Sequence, residues 1–203
     1  METFGGVATA WEDCLPQYID WWQRQGFIDP FLQEAFLRSE YIEPAMMEHV
    51  LAALMPANAL ALRVSMATGL RISDVLELKT ADVERGRFTV REGKTGKTRR
   101  VRLPVGLQVE VLKQSGHVYA FPARSDGRKH RTRQAVYKDI RRAAVAFRLK
   151  EHISPHSARK MFAVSSLKRY GDVKKVQQLL NHESEAVTLI YVLADELTRR
   201  KHK

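Results

Sequence analysis

The sequence predicts a mainly α protein with a small antiparallel β-sheet, an α+β fold. Segments of helical period fill most of the 203 residues, opened by Ser or Pro and closed by Gly or Asn. One stretch, residues 87–103, departs from that period and reads as two strands around a Gly-containing turn. Cys14 is the only cysteine, so neither an internal disulfide nor a cysteine metal cage can staple the fold, and a packed core must hold it.

In chain order, residues 8–25 and 30–38 read as amphipathic helices of an acidic N-terminal segment, 1–40, ahead of a main domain, 41–203. Trp11, Trp21 and Trp22 lie in that segment, where packing against the main domain or a partner competes with stacking on bases. Glu43-Pro44 opens a helix to about Leu54, and Asn58 to Thr68 forms the next, with Gly69 as a left-handed cap. Ser73 is placed to begin a helix from Asp74 to Leu78; the phrase from Met66 to Leu78 also reads as a helix-turn-helix. Arg87 to Arg91 and Thr98 to Leu103 flank Gly93-Lys-Thr-Gly-Lys97 as a hairpin. That Gly-Lys-Thr lacks the spaced first glycine of a nucleotide loop and precedes a strand, which excludes ATP binding. A helix from Gly106 to Lys113, a short strand from His117 to Phe121 and a loop from Arg124 to Arg131 follow. Helix 132–148 puts Val136, Ile140, Ala143, Ala144 and Phe147 on one face, and helices near 155–170, 172–181 and 185–194 complete the domain.

Charge is distributed unevenly. Residues 1–60 carry two Lys/Arg against nine Asp/Glu, and residues 61–203 carry 32 against 14. The basic portion suits a polyanion. Lys97, Arg99 and Arg100 on the hairpin, and Arg128, Lys129, Arg131 and Arg133 in and after the later loop, are candidates for backbone phosphates of double-stranded DNA, although such charges can also be merely solvated. No stretch is long or apolar enough for a membrane, and an N-terminus with Glu2, Glu12 and Asp13 does not read as a secretory signal, so a cytoplasmic, DNA-associated protein is expected.

Ser154-Pro155 is a helix start, which places His156 in the first turn, where free N–H groups favour an anion, and Arg159 one turn on along the same face. A guanidinium can grip two oxygens of a phosphodiester transition state, and a tyrosine such as Tyr191 is a plausible nucleophile. Taken alone, His156 reads as structural more often than catalytic, and Tyr191, among Leu189, Ile190, Val192 and Leu193, reads as core.

The ordered set Thr68-Gly-Leu-Arg71-Ile-Ser-Asp74, Lys94 on a hairpin, His156-x-x-Arg159, Leu179-Leu-Asn-His182 and Tyr191 closely resembles the catalytic domain of tyrosine recombinases of the phage-integrase type, a fold shared with type IB topoisomerases. The resemblance spans about residues 43–194. It implies that Arg71 and Arg159 clamp the scissile phosphate, that His156 assists proton transfer at the nucleophile, and that His182 hydrogen-bonds a phosphate oxygen. Lys94 would be the general acid, with Lys97 as rival, Tyr191 the nucleophile, and Asp74 a carboxylate that positions the arginines. It further implies a 3′-phosphotyrosyl intermediate, no metal, no cofactor, a tetramer on DNA, and an accessory DNA-bending protein as a possible partner. Integration, excision or inversion would be the outcome.

Three departures from the family pattern stand out: Ala158 and Lys160 flank the box arginine where Leu and His are usual, Asn181 replaces Gly before His182, and only about 40 acidic residues precede the catalytic part. The last points to the short recombinases such as the fimbrial-switch invertases, or to a shortened piece of a longer chain. Two other readings compete: a sequence-specific DNA-binding regulator without turnover, and a relaxing topoisomerase.

Overall fold

The computed structural model describes residues 41–182. The expected helices at 8–25, 30–38 and 185–194, and with the last of them Tyr191, lie outside the described residues. Within them the order is α1 (Pro44–Ala53), α2 (Pro56–Thr68), α3 (Ile72–Leu76), α4 (Thr80–Arg85), β1 (Arg87–Arg91), β2 (Thr98–Arg102), α5 (Val105–Gln114), α6 (Arg133–Ala146), α7 (Pro155–Tyr170) and α8 (Val173–Leu180).

Proline at the first helical position starts α1, α2 and α7, where its missing N–H costs nothing. Central α2 packs against α1, α3, α5 and α7, and its Leu60, Ala61, Leu62 and Val64 are buried. Around them Met47, Leu76, Phe121, Ile140 and Ile153 close a single main core, each buried side chain of this size contributing about 1.5–3 kcal/mol. A smaller cluster, Ala163, Leu167, Val176 and Leu180, joins α7 to α8.

The turn between α1 and α2 is fixed from a distance by α6. Asp139 accepts from Met55 N at 2.8 Å and from Asn58 Nδ2 at 2.7 Å, and Arg142 donates to Asp139 at 2.6 Å and to Ala53 O at 2.8 Å. One ion pair thus satisfies a carbonyl at the end of α1 and an amide at the start of α2.

The hairpin forms as the pattern requires, with Phe88 opposite Val101 and Val90 opposite Arg99. Its turn closes through Glu92 N to Lys97 O at 2.9 Å and Gly96 N to Glu92 O at 2.8 Å.

Four expectations need correction. Residues 117–121 are not a strand: only Lys79 and Tyr119 bridge, because Gly116 and Pro122 confine the extended run to two backbone bonds, Thr80 N to Val118 O and Ala120 N to Leu78 O. Helix α3 is capped by Arg71 and not Ser73, and lasts five residues. Its Ile72, Asp74, Val75 and Leu76 are buried, so the helix-turn-helix reading has no free recognition face. Phe147 lies past the end of α6 and is 46% exposed, outside the core face expected for it. Helix α4, which the sequence reading passed over, is closed by Gly86.

Gly69 ends α2 at φ +67, as expected, and a Cβ there would sit 2.5 Å from the Phe162 ring on α7. Two costs therefore add on substitution: left-handed backbone for a residue with Cβ, and overpacking. Gly69→Ala is expected to lower unfolding free energy by about 2–4 kcal/mol in urea titration, falling to about 1–2 kcal/mol when Phe162→Ala makes room. Equal costs in the two backgrounds would mean that the ring contact contributes nothing.

Candidate active site

The site forms where α2 and α8 end. Helix α7, whose N-terminus faces this region, begins with a reciprocal cap: Ser154 Oγ accepts from His156 N at 3.2 Å, and Ser157 Oγ accepts from Ser154 N at 3.3 Å. This rigid first turn fixes His156 and, one turn on, Arg159.

Arg159 is 1% exposed, and its guanidinium bridges two helix ends: Nη1 donates to Gly69 O at 2.5 Å and Nη2 to Leu180 O at 2.5 Å. Arg99 does the same one residue back, donating to Thr68 O at 2.9 Å and, through Nη1, to Leu179 O. The last carbonyls of a helix lack intrahelical partners and carry its negative dipole end, so a guanidinium between two such ends satisfies both.

At the end of α8, Asn181 takes the left-handed conformation, φ 53, in the place where Gly is usual in the resembling family. Asn181 N donates to Gln178 O at 3.2 Å and His182 N to Gln177 O at 3.1 Å. That paired return is a Schellman cap, and it fixes the backbone of His182 beside Arg159.

Arg71 reaches the same region from the turn after α2. Its Nη1 pairs with Glu92 Oε2, and the Arg71 side chain is 15% exposed. Asp74 accepts from Gly93 N at 3.0 Å, which ties α3 to the hairpin tip one residue before Lys94. Burial pushes the Asp74 carboxyl up; the Gly93 N–H opposes that, the Glu92 charge adds to it, and Arg71 and Arg159 oppose it in turn. Lys94 and Lys97 are both exposed at the tip.

Both histidines register the resulting field. His182 is pushed down to about 3, first by burial and then by Arg159, Arg71, Arg99 and Lys94. His156 falls to about 4, again by burial first and then by Arg159, Lys160, Arg133 and Arg71. His156 is an exposed residue, yet it is crowded by enough protein for burial to lead. The structure therefore brings Arg71, Arg159, His156 and His182 to one place with the Lys94 charge within reach, and both imidazoles are neutral at pH 7. Each can accept a proton at one ring nitrogen and donate from the other.

The basic residues divide. Lys97, Arg100, Arg128, Lys129 and Arg133 are exposed, with Arg128 Nε 3.2 Å from Asp126 Oδ1. Arg131 is half-buried and feels the charge of Asp139. Arg99 is the correction: with an 11% exposed side chain, donors directed at Thr68 O and Leu179 O, and Nε 3.4 Å from Glu92 Oε1 in an ion pair, it builds the scaffold and does not present itself to phosphate. Glu92 was missed. The signal for both lies in strand alternation, since Phe88, Val90 and Glu92 share one face of the hairpin, as do Arg99, Val101 and Leu103.

Among the described residues no group of three His, Cys, Asp or Glu could hold a metal ion, and no helix is long and apolar enough to cross a membrane.

The fold is that of a tyrosine recombinase catalytic domain. Lambda integrase, as a dimer bound to a COC′ core site, matches with a TM-score of 0.64 at 21% identity over 76% of this chain and 59% of that one. The lambda integrase tetramer bound to a Holliday junction matches with a TM-score of 0.63 at 20% identity, covering 75% and 48%. The family model described as "Phage integrase family" matches residues 37–197, and the chain belongs to that family. The probable integrase/recombinase YoeC of Bacillus subtilis is 33% identical over 131 residues, which cover 62% of this chain and 71% of YoeC. Tyrosine recombinase XerC of Xanthomonas campestris is 35% identical over 128 residues, covering 59% of this chain but 38% of XerC.

The two depressed histidines give a stability prediction. Below their ordinary value of 6.5 the unfolded chain takes up two protons that the folded chain refuses until about pH 4 and 3. Stability is therefore expected to fall as pH drops from 6.5 toward 4, and the urea midpoint of a His156→Gln/His182→Gln protein to fall less steeply over that window. Identical slopes would show that neither imidazole is held neutral by the fold.

Proposed function

We propose that the protein is a site-specific DNA recombinase that cleaves and rejoins strands through a 3′-phosphotyrosyl intermediate. The observation that supports this reading best is the meeting of Arg71, Arg159, His156 and His182 on one spot whose field the Lys94 charge reaches. Two guanidiniums, one ammonium and two neutral imidazoles suit a phosphodiester, whose non-bridging oxygens gain negative charge in the transition state. Family membership supports the same reading.

In the proposed step the phenolic oxygen of Tyr191 attacks phosphorus and the bond to the 5′ oxygen breaks. His156, neutral and therefore able to accept, takes the phenolic proton. Lys94, whose charge acts on His182, gives a proton to the departing 5′ oxygen. Arg71 and Arg159 hold the non-bridging oxygens, His182 donates to one of them, and Asp74, bonded to Gly93 N, steadies the loop that carries Lys94. A 5′ hydroxyl from another strand reverses the step, so the number of phosphodiester bonds is conserved and no nucleotide hydrolysis is needed.

Double-stranded DNA is the proposed substrate, contacted by exposed Lys97, Arg100, Arg128, Lys129 and Arg133, with Arg131 behind them. Because lambda integrase has this fold both as a dimer on a core site and as a tetramer on a Holliday junction, assembly of several copies on DNA is part of the proposal. Residues 41–203 would form the catalytic part and 1–40 an acidic appendage. A cytoplasmic location and an accessory DNA-bending protein complete the reading.

The protein is expected to select its site from a randomised duplex pool and, on that duplex nicked near the cleavage point, to form an adduct that survives denaturation. Tyr191→Phe should form none while retaining DNA binding; an adduct that persists would defeat the assignment of Tyr191 as nucleophile, and binding without any adduct from the native chain would replace this reading by that of a DNA-binding regulator. Lys94→Ala should slow cleavage by about 10²–10⁴-fold and recover on a duplex with sulfur in place of the 5′ bridging oxygen, since a thiolate leaves without a proton. Recovery of Lys97→Ala instead would move the general acid three residues along.

A further inference from the structure

Resting on that recombinase reading, we propose that Glu92 is a positioning residue for strand cleavage: it holds Arg71 at the scissile phosphate and locks that arginine to the hairpin bearing Lys94. The Glu92 side chain is 0% exposed, a placement that an ionised carboxylate tolerates only when paired. Arg71 Nη1 donates to its Oε2, while Arg99 Nε lies 3.4 Å from its Oε1. Thr95 Oγ1 approaches Oε2 at 3.4 Å.

The main chain of the same residue makes the hairpin turn, through Glu92 N to Lys97 O and Gly96 N to Glu92 O. Lys94 stands two residues on. A shift of Glu92 therefore moves the proposed phosphate clamp and the proposed acid together. Arg99 extends the tie, since its other donors reach Thr68 O and Leu179 O, at the ends of the two helices that lead to Arg71 and to His182.

Electrostatics explain why a carboxylate is needed there. Arg71, Arg99 and Arg159 crowd one region, and the other buried acid beside them, Asp74, already accepts from Gly93 N. Without Glu92, Arg71 and Arg99 repel each other across a site of low dielectric, and Arg71, the less buried of the two, is free to turn its fork toward solvent. Five N–H groups belong to each guanidinium, so the one that Arg71 gives to Glu92 leaves a planar edge for phosphate oxygens. Glu92 itself touches no DNA in this arrangement. It acts through orientation, for which small displacements are costly in rate.

The test compares native protein, Glu92→Gln and Arg71→Ala on the selected nicked duplex, with single-turnover adduct formation, DNA affinity by anisotropy and thermal unfolding measured for each. Glu92→Gln is expected to slow adduct formation by about tenfold or more while affinity changes less than about threefold. A second duplex carries a methylphosphonate at the cleavage point, where a methyl group replaces a charged non-bridging oxygen and Arg71 has less to do. On it the deficits of Glu92→Gln and Arg71→Ala should both shrink. A general loss of structure would slow both duplexes alike, and that result, or cleavage by Glu92→Gln within about twofold of native, overturns the proposal. Should Glu92→Gln not fold, Glu92→Asp, which keeps the charge and withdraws it by one methylene, takes the same two duplexes with the same expectations. Absence of an adduct from the native chain overturns this proposal together with the recombinase reading, whereas a native adduct with an unaffected Glu92→Gln overturns this one alone.

Discussion

The C-terminal carbonyls of α2 and α8 could not meet without a donor between them, because each end is unsatisfied and carries the negative end of a helix dipole. Arg99 and Arg159 are those donors. Arg99 joins Thr68 O to Leu179 O, and Arg159 joins Gly69 O to Leu180 O, so two parallel guanidinium bridges clamp one helix end to the other. The two arginines come from different elements, β2 and α7, and the clamp therefore fixes four pieces of chain at once. Arg71 leaves one of the clamped ends two residues after Gly69, and His182 leaves the other two residues after Leu180.

Concentrating guanidiniums to make such a clamp creates a second requirement, which is to keep them from driving the site apart. Glu92 and Asp74 meet it from the hairpin and from α3, and both are buried. They are not equivalent. Glu92 is paired directly with Arg71 and stands 3.4 Å from Arg99, whereas Asp74 receives a backbone N–H and is pushed upward mainly by its own burial. The histidines meet the same requirement by refusing a proton, so that the imidazoles add hydrogen-bonding capacity without adding charge.

Local signals made much of this legible in the sequence. Ser154-Pro155 fixed the start of α7, the Gly69 stop placed Arg71, and Asn181 could be accepted in a left-handed cap because its short amide side chain tolerates that backbone. Period-2 alternation gave the hairpin. What local signals could not convey was the partner of each charge. Arg99 and Arg100 are neighbours in a basic strand and look alike, yet one faces inward with Val101 and the other faces solvent, and Glu92 reads as a lone acid in a basic hairpin until its inward phase is followed past the end of β1. The strand expected at 117–121 failed for the converse reason: its composition suits a strand, but the chain offers it only residues 78–80 to pair with. Asp139 was hidden in the same way, since the amides it satisfies lie 84 and 81 residues earlier in the chain.

Among the described residues four cations, Arg71, Arg99, Arg159 and Lys94, act on His182, while the buried acids beside them number two, Glu92 and Asp74, so positive charge is in excess there. On the proposed reading a phosphodiester makes up the difference, beside Arg71 and the two histidines. On that reading, binding energy from the neutralisation is realised without moving the clamp, because the helix ends are already fixed by guanidinium bonds to carbonyls. Charge neutralisation of this kind also works in the other direction: an anion seated there favours protonation of the two imidazoles by cancelling the part of the depression that Arg159, Arg71 and their neighbours add to that of burial. On the proposed reading, His156 is thereby a weak base in the free protein and a better one once DNA is in place, which links its readiness to accept the phenolic proton to the presence of the phosphate that the phenol attacks.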